Sequence, residues 1–286
     1  MILSLDKQRV LVSLLRIDQM SMLEISIYLD VLRVIVSLSF LLASSWYDYK
    51  FREVSNRMWI LFAPIGFVLT FVQYTFEWAA GKASSSIFIF WIVSVAITAA
   101  ISLSLFYAGF FGGADAKALI CLSIAIPIYP EFSLSRFTVV IPLFPLATLV
   151  NAVFASSLLV LAIMCRNIVR YVQLKGEIFK GLEHEPFWKK AIVFVSGIKV
   201  NSEKLRDNFH YIPLESLVIS EDGEVTRHLK VSPQLEEKNL MDLEGLDGEV
   251  WVTPGLPFLI FVTIGFITAF FFGDFTTWLA NLMLNL

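Results

Sequence analysis

Six apolar runs separated by short polar connectors, with one long polar stretch before the last, set the pattern of the chain. The runs are Leu29–Tyr47, Met58–Phe76, Ile87–Tyr107, Ala116–Tyr129, Leu146–Cys165 and Leu256–Phe272. A bilayer core of about 30 Å takes roughly 20 apolar residues per helix, or fewer where the bilayer thins. The pattern therefore predicts six transmembrane helices. Pro64 and Gly66 predict a kink in the second, and Pro127 and Pro130 close the fourth, which is the shortest. Residues 1–28 mix apolar clusters with Lys7, Arg9 and Arg16, which predicts an amphipathic helix on the membrane surface. No small-residue cleavage site follows it, so a secretory signal is not expected, and Met20 and Met22 are alternative starts.

Residues 166–255 are the polar insertion. Lys175–Lys190 either extends the fifth helix or forms a short amphipathic one. Ala191–Val195 and Leu217–Ile219 read as strands. Asp222-Gly223 predicts a hairpin pairing Ser216–Ser220 with Glu224–Val231, and Glu249–Thr253 reads as a last strand. Glu236–Glu249 is an acidic, solvated loop. The expected fold class is an all-α polytopic membrane protein of six transmembrane helices with a small β-rich cytoplasmic domain between helices 5 and 6. Its parts are an interfacial segment (1–28), a membrane domain (29–165), the soluble domain (166–255) and the sixth helix with its tail (256–286).

Composition agrees: 57% of residues are hydrophobic and 16% charged, with a mean hydropathy of +0.73. The net charge of −3 gives no reason to expect nucleic acid. Cys121 and Cys165 sit in apolar runs as packing residues, and no Cys-x-x-Cys pair is present. His184, His210 and His228 all fall in the insertion without a shared ligand spacing, so surface positions are expected and no metal or cofactor. Asp30 and Arg33 can pair at i, i+3, and their place near the start of the first run puts them at headgroup level. Asn151 is carried by the fifth run.

Basic residues set orientation. Lys50, Arg52 and Arg57 follow the first run, Lys82 alone follows the second, and Arg166, Arg170 and Lys175 leave the fifth. With six spans, both termini lie outside and the insertion is cytoplasmic. Asp48 and Asp115 then share the cytoplasmic side. Asp115 follows Gly112-Gly113 and an apolar connector, Gly109-Phe110-Phe111, so little crowds the backbone on its approach side. Within hydrogen-bond reach, two carboxylates cannot both ionise: they share a proton, one taking a proton from water and the other donating to a scissile carbonyl. Asp115 begins a helix, where the dipole favours the anion, and Asp48 ends one; the expected base is Asp115 and the acid Asp48. No histidine lies in any span, which leaves neither a zinc nor a serine–histidine route to intramembrane proteolysis.

At these residues the chain resembles the type IV prepilin peptidase family of GxGD-type aspartic intramembrane proteases, most closely its archaeal, preflagellin-processing branch. Asp48 with Lys50, Arg52, Val54 and Asn56 matches one motif region, and Gly112-Gly113-Ala114-Asp115-Ala116-Lys117 the other. Ala114 stands where bacterial members have glycine. The resemblance covers about Asp30–Cys165, and Thr253–Phe272 is consistent with it. It implies Asp48 and Asp115 as catalytic residues and Gly112, Gly113, Ala114 and Lys117 as substrate-binding ones. The implied substrate is a membrane-embedded flagellin or pilin-like precursor, with a basic leader cut at the cytoplasmic face. The cysteine tetrad for zinc and the N-terminal cytosolic domain of bacterial members are missing, so cleavage without S-adenosylmethionine is implied. Glu236, Glu237, Asp242 and Glu244 either attract the leader or, as the simpler expectation, only solubilise the loop.

Three other readings compete. A proton- or cation-coupled transporter predicts midplane carboxylates and an internal repeat, and neither is apparent. A presenilin- or signal-peptide-peptidase-like protease predicts a Pro-Ala-Leu motif near the C-terminal spans; Pro145-Leu146-Ala147 has neither the order nor the place. A catalytically inactive assembly factor would bind pilin helices without cutting them.

Overall fold

The structure is a computed structural model that describes residues 2–133, 141–202, 211–219, 225–230, 248–255 and 257–284. Side chains are described from residue 24 onward. The basic side chains of the first segment, His210, the Asp222-Gly223 turn and the acidic residues Glu236, Glu237, Asp242 and Glu244 therefore lie outside the description. The chain divides into two compact units, residues 1–155 with 257–286, and residues 156–256.

The first unit is helical. α1 runs unbroken from Ile2 to Phe51, so the expected surface segment and first span are one helix. α2 (Asn56–Ala79), α3 (Ser86–Tyr107), α4 (Gly113–Ala125) and the start of α5 (Phe144–Gln173) follow, and α7 (Phe258–Phe272) and α8 (Phe275–Leu284) complete it. Among the described residues, four helices are long and apolar enough to cross a membrane: Glu24–Phe51 of α1, α2, α3 and α5. α4 has 13 residues and α7 has 15. At 1.5 Å per residue these reach about 20 Å, short of the usual hydrocarbon thickness. The fourth apolar run forms helix only to Ala125, because Ile126 leaves helical geometry ahead of Pro127.

α4 is the axis of this unit, packing against α1, α2, α3 and α7. Its small residues let neighbours close in, and Ala118, Leu119, Leu122 and Ala125 join Leu41, Phe62, Phe144, Val262 and Phe266 in one core. Gly66 of α2 faces Ala125: an added Cβ would lie 2.7 Å from the alanine Cβ. Gly265 of α7 faces α5, where a Cβ would lie 2.3 Å from the Thr148 carbonyl oxygen. Ile60, Leu61, Ile89, Phe90 and Ile92 instead point outward, as expected of a surface solvated by lipid. Asn151 joins helix ends, donating to the Gly273 carbonyl at 2.9 Å and accepting from the Phe275 amide at 3.1 Å.

Asp30 and Arg33 pack inside the protein. They are 3% and 2% exposed and paired. Arg33 also donates to the Ala125 carbonyl at 3.2 Å, which the Thr70 hydroxyl reaches at 2.8 Å, and the Glu131 amide donates to Asp30 at 3.1 Å. Partners from three other segments make burial of the pair tolerable.

The second unit holds the end of α5, a 3-10 turn (Glu177–Phe179), α6 (Phe187–Ser196) and five short strands. β1 (Ile198–Asn201) and β2 (Tyr211–Pro213) flank β5 (Glu249–Pro254) in an antiparallel sheet. β3 (Glu215–Ile219) and β4 (Val225–Leu229) form the expected hairpin, in register from Glu215–Leu229 to Ile219–Val225. The last strand is also where the pattern placed it. Ala191–Val195 is helix, not strand. Its β-branched residues suit a strand, but burial recurs at Val193 and Gly197, four apart, and Pro186 precedes the first turn. Trp251 is fully buried, stacked on Phe179, and its amide donates to Glu215 at 2.7 Å.

Candidate active site

Asp48 continues an inward stripe on α1. Leu41, Ser44 and Ser45 are buried at helical spacing and Asp48, next on that face, is half-buried. Ser45 holds this end of the helix to α7, donating to the Leu259 carbonyl at 2.9 Å with the Thr263 hydroxyl 2.8 Å away. One turn on, the Arg52 amide closes on the Asp48 carbonyl at 2.9 Å with φ at 56°. A left-handed residue of this kind stops the helix just past the carboxylate.

Asp115 is the third residue of α4, counted from the Gly112 cap. Its Oδ2 accepts the Gly112 amide proton at 2.9 Å, the returning half of a capping box. The residue is 5% exposed, and its Oδ1 has no hydrogen-bond partner among the described residues. Two of the four free amides at a helix start are commonly satisfied by such a box; here the acid doubles as a structural part.

Gly112 and Gly113 need no special backbone conformation. Gly112 has φ −77°, and a Cβ there would meet only the Asp115 carboxylate, at 3.4 Å. Their effect is to leave the approach to Asp115 clear. The left-handed glycine of this connector is Gly109, at φ +77°. Ala114 and Phe111 pack on the core, and the Phe111 ring stacks parallel to Phe258 at 5.5 Å. Lys117 is exposed and donates to the Asn56 side-chain oxygen at 2.7 Å, joining the first turn of α4 to that of α2.

These contacts bring the end of α1 and the starts of α2, α4 and α7 to one end of the helical unit. Asp48 and Asp115 both belong to that end. Gly112, Gly113, Ala114 and Lys117 lie beside them in sequence and structure. Sequence reasoning missed the Ser45–Thr263 clasp and the Lys117–Asn56 bond. Neither partner is near the other along the chain, although Asn56 was visible as part of a motif. Among the described residues, the one cluster with metal-ligand chemistry is His184, Glu185 and His228, in the second unit.

Comparison with known proteins points to a family. A family model described as Type IV leader peptidase family matches residues 35–165, and one described as Archaeal Peptidase A24 C-terminus Type II matches residues 189–275. Over residues 35–165 the chain is similar to the type IV leader peptidase family. Among curated relatives, a preflagellin peptidase of Methanocaldococcus jannaschii is 24% identical over 244 residues, covering 82% of this chain and 91% of the relative. Preflagellin peptidases of Methanococcus maripaludis and Methanococcus voltae are 23% and 26% identical, each spanning 82% of this chain and 92% of their own length. These matches indicate a peptidase hydrolase, and the several long apolar helices suit a membrane protease.

Proposed function

We propose that this protein is an aspartic intramembrane endopeptidase that removes the basic leader of prepilin- or preflagellin-like precursors. In this reading six helices cross the cell membrane, with α4 and α7 as the short ones, and the insertion and the Asp48/Asp115 end face the cytoplasm. The names of the relatives support the substrate class. The observation that supports the chemistry is that the end of α1 that carries Asp48 and the start of α4 that carries Asp115 lie at the same end of the helical unit, with one Asp115 oxygen buried and without a partner among the described residues.

The precursor's apolar helix lies among the spans, leaving its leader at the aspartates. One carboxylate takes a proton from water as its oxygen attacks the scissile carbonyl, and the other protonates the carbonyl oxygen. Collapse of the tetrahedral diol breaks the C–N bond, the amine leaving with a proton returned by the pair. Gly112 and Gly113 leave room for an extended substrate strand, Ala114 sets the loop on the core, and Lys117 fixes the start of α4 against α2 while remaining accessible to substrate.

The test is co-expression with a preflagellin-like precursor. Asp48→Asn and Asp115→Asn are each expected to lower cleavage by at least about a hundredfold, the usual scale for a lost general acid or base, with the thermal unfolding of the purified protein retained. Near-normal cleavage by either variant overturns the dyad. Precursor binding with no cleavage by wild type favours the assembly-factor reading.

A further inference from the structure

His184 and His228 lie far apart along the chain, which argues against a metal site when only spacing is read. The fold brings them together. Their rings meet edge to face with centroids 4.8 Å apart, and Glu185 is buried between the 3-10 turn region and β4. The Glu185 Oε1 lies 2.9 Å from His228 Nδ1 and 4.0 Å from His184 Nε2. Ligand atoms from all three residues fall within 4.8 Å of one another.

We propose that His184, Glu185 and His228 form a binding site for a divalent transition-metal ion of the zinc or cobalt type. Two imidazoles and one carboxylate are a donor set that such ions favour over magnesium or calcium. A separation near 3 Å between His228 Nδ1 and the Glu185 oxygen is what two metal–ligand bonds of about 2.1 Å span at roughly a right angle. His184 is the most exposed of the three, so its ring can swing inward to complete a three-residue set, water taking the remaining position.

The surroundings are built to hold the carboxylate. Lys189 donates to its other oxygen at 2.9 Å, and the Leu229 amide to Oε1 at 3.0 Å. Burial works to raise the Glu185 pKa, but the bonds from Lys189, Leu229 and His228 outweigh it and leave the carboxyl below its ordinary range. The Thr226 hydroxyl, 3.2 Å from His228 Nε2, orients that ring through the nitrogen the metal does not need, the usual supporting arrangement for a ligating histidine. Metal entry would replace the His228–Glu185 hydrogen bond and leave the Lys189 contact in place. The ion then ties the segment before α6 to β4.

The test uses the full chain in detergent, purified with a histidine-free tag and stripped with chelator. Titration calorimetry is expected to give one Zn²⁺ per chain, Co²⁺ to give visible ligand-field bands, and Mg²⁺ to give neither. His184→Ala and His228→Ala are each expected to weaken Zn²⁺ by at least about tenfold, since even a lost supporting bond costs 10–100-fold. Because His184 is exposed, its variant leaves the apo fold intact, checked by unchanged thermal unfolding without metal. Absence of Zn²⁺ binding by wild type, or binding unaltered by either alanine, overturns the site. Precursor cleavage read in parallel is independent of this outcome.

Discussion

Asp115 carries two duties on two oxygens. Oδ2 caps α4 through the Gly112 amide, while Oδ1 is buried and without a partner among the described residues. Asparagine retains an acceptor for the amide but has no acid to exchange; alanine loses both. Asp115→Asn is therefore expected to unfold at close to the wild-type temperature. Asp115→Ala is expected to be destabilised by about 0.5–2 kcal/mol, the usual worth of a lost cap. Thermal unfolding of the two proteins in the same detergent checks this. Equal stability of the two variants would mean that the Gly112 contact contributes nothing. Asp48 has no comparable structural bond through its carboxylate among the described residues, so its loss is read in activity alone.

Helices in the first unit are placed by what their faces lack. Gly265 has the Thr148 carbonyl and the Ala152 amide, 2.8 Å away, where a methyl would go, and backbone cannot swing aside as a side chain can. Gly265→Ala is expected to cost about 1–3 kcal/mol, the scale of an overpacked core, and to lower cleavage by shifting α7 away from the end where Ser45 meets Leu259. A stability equal to wild type would show that α5 and α7 can part without loss. Helices of this kind were legible in the sequence because an apolar window is a local signal, and the start of α4 was legible only approximately, from the apolar run that opens at Ala116. The hairpin of β3 and β4 followed from alternation. Ala191–Val195 was misread because its composition speaks for a strand, while its burial period is set by Trp251 and Leu229 neighbours that no local window contains. The Asp30–Arg33 spacing was visible, but its other partners, Thr70 and Ala125, are distant in sequence. The histidine cluster left no trace for the same reason.

At the scale of the whole molecule, the side of the membrane on which chemistry occurs rests on the charges after the first span. In a variant lacking Cys121 and Cys165, a cysteine at Ser55 is expected to resist a membrane-impermeant maleimide added to intact cells, and one at Ala83 to react. Permeabilisation should expose Ser55. The opposite pattern would put the aspartates outside. Lysine and arginine counts predict one side of the membrane for both Asp48 and Asp115; how closely the two approach depends on packing that counts do not report. That packing includes the far end of α4, where the Ala125 carbonyl takes hydrogen bonds from Thr70 and the buried Arg33. A positive group at the carboxyl end of a helix and an acid at its amino end both suit its dipole, so this short rod is electrically matched at both tips. It follows that the aim of Asp115 is set in part from about 20 Å away: under the proposed dyad, a sequence change at Arg33 or Thr70 can tilt the rod and lower cleavage without touching either aspartate.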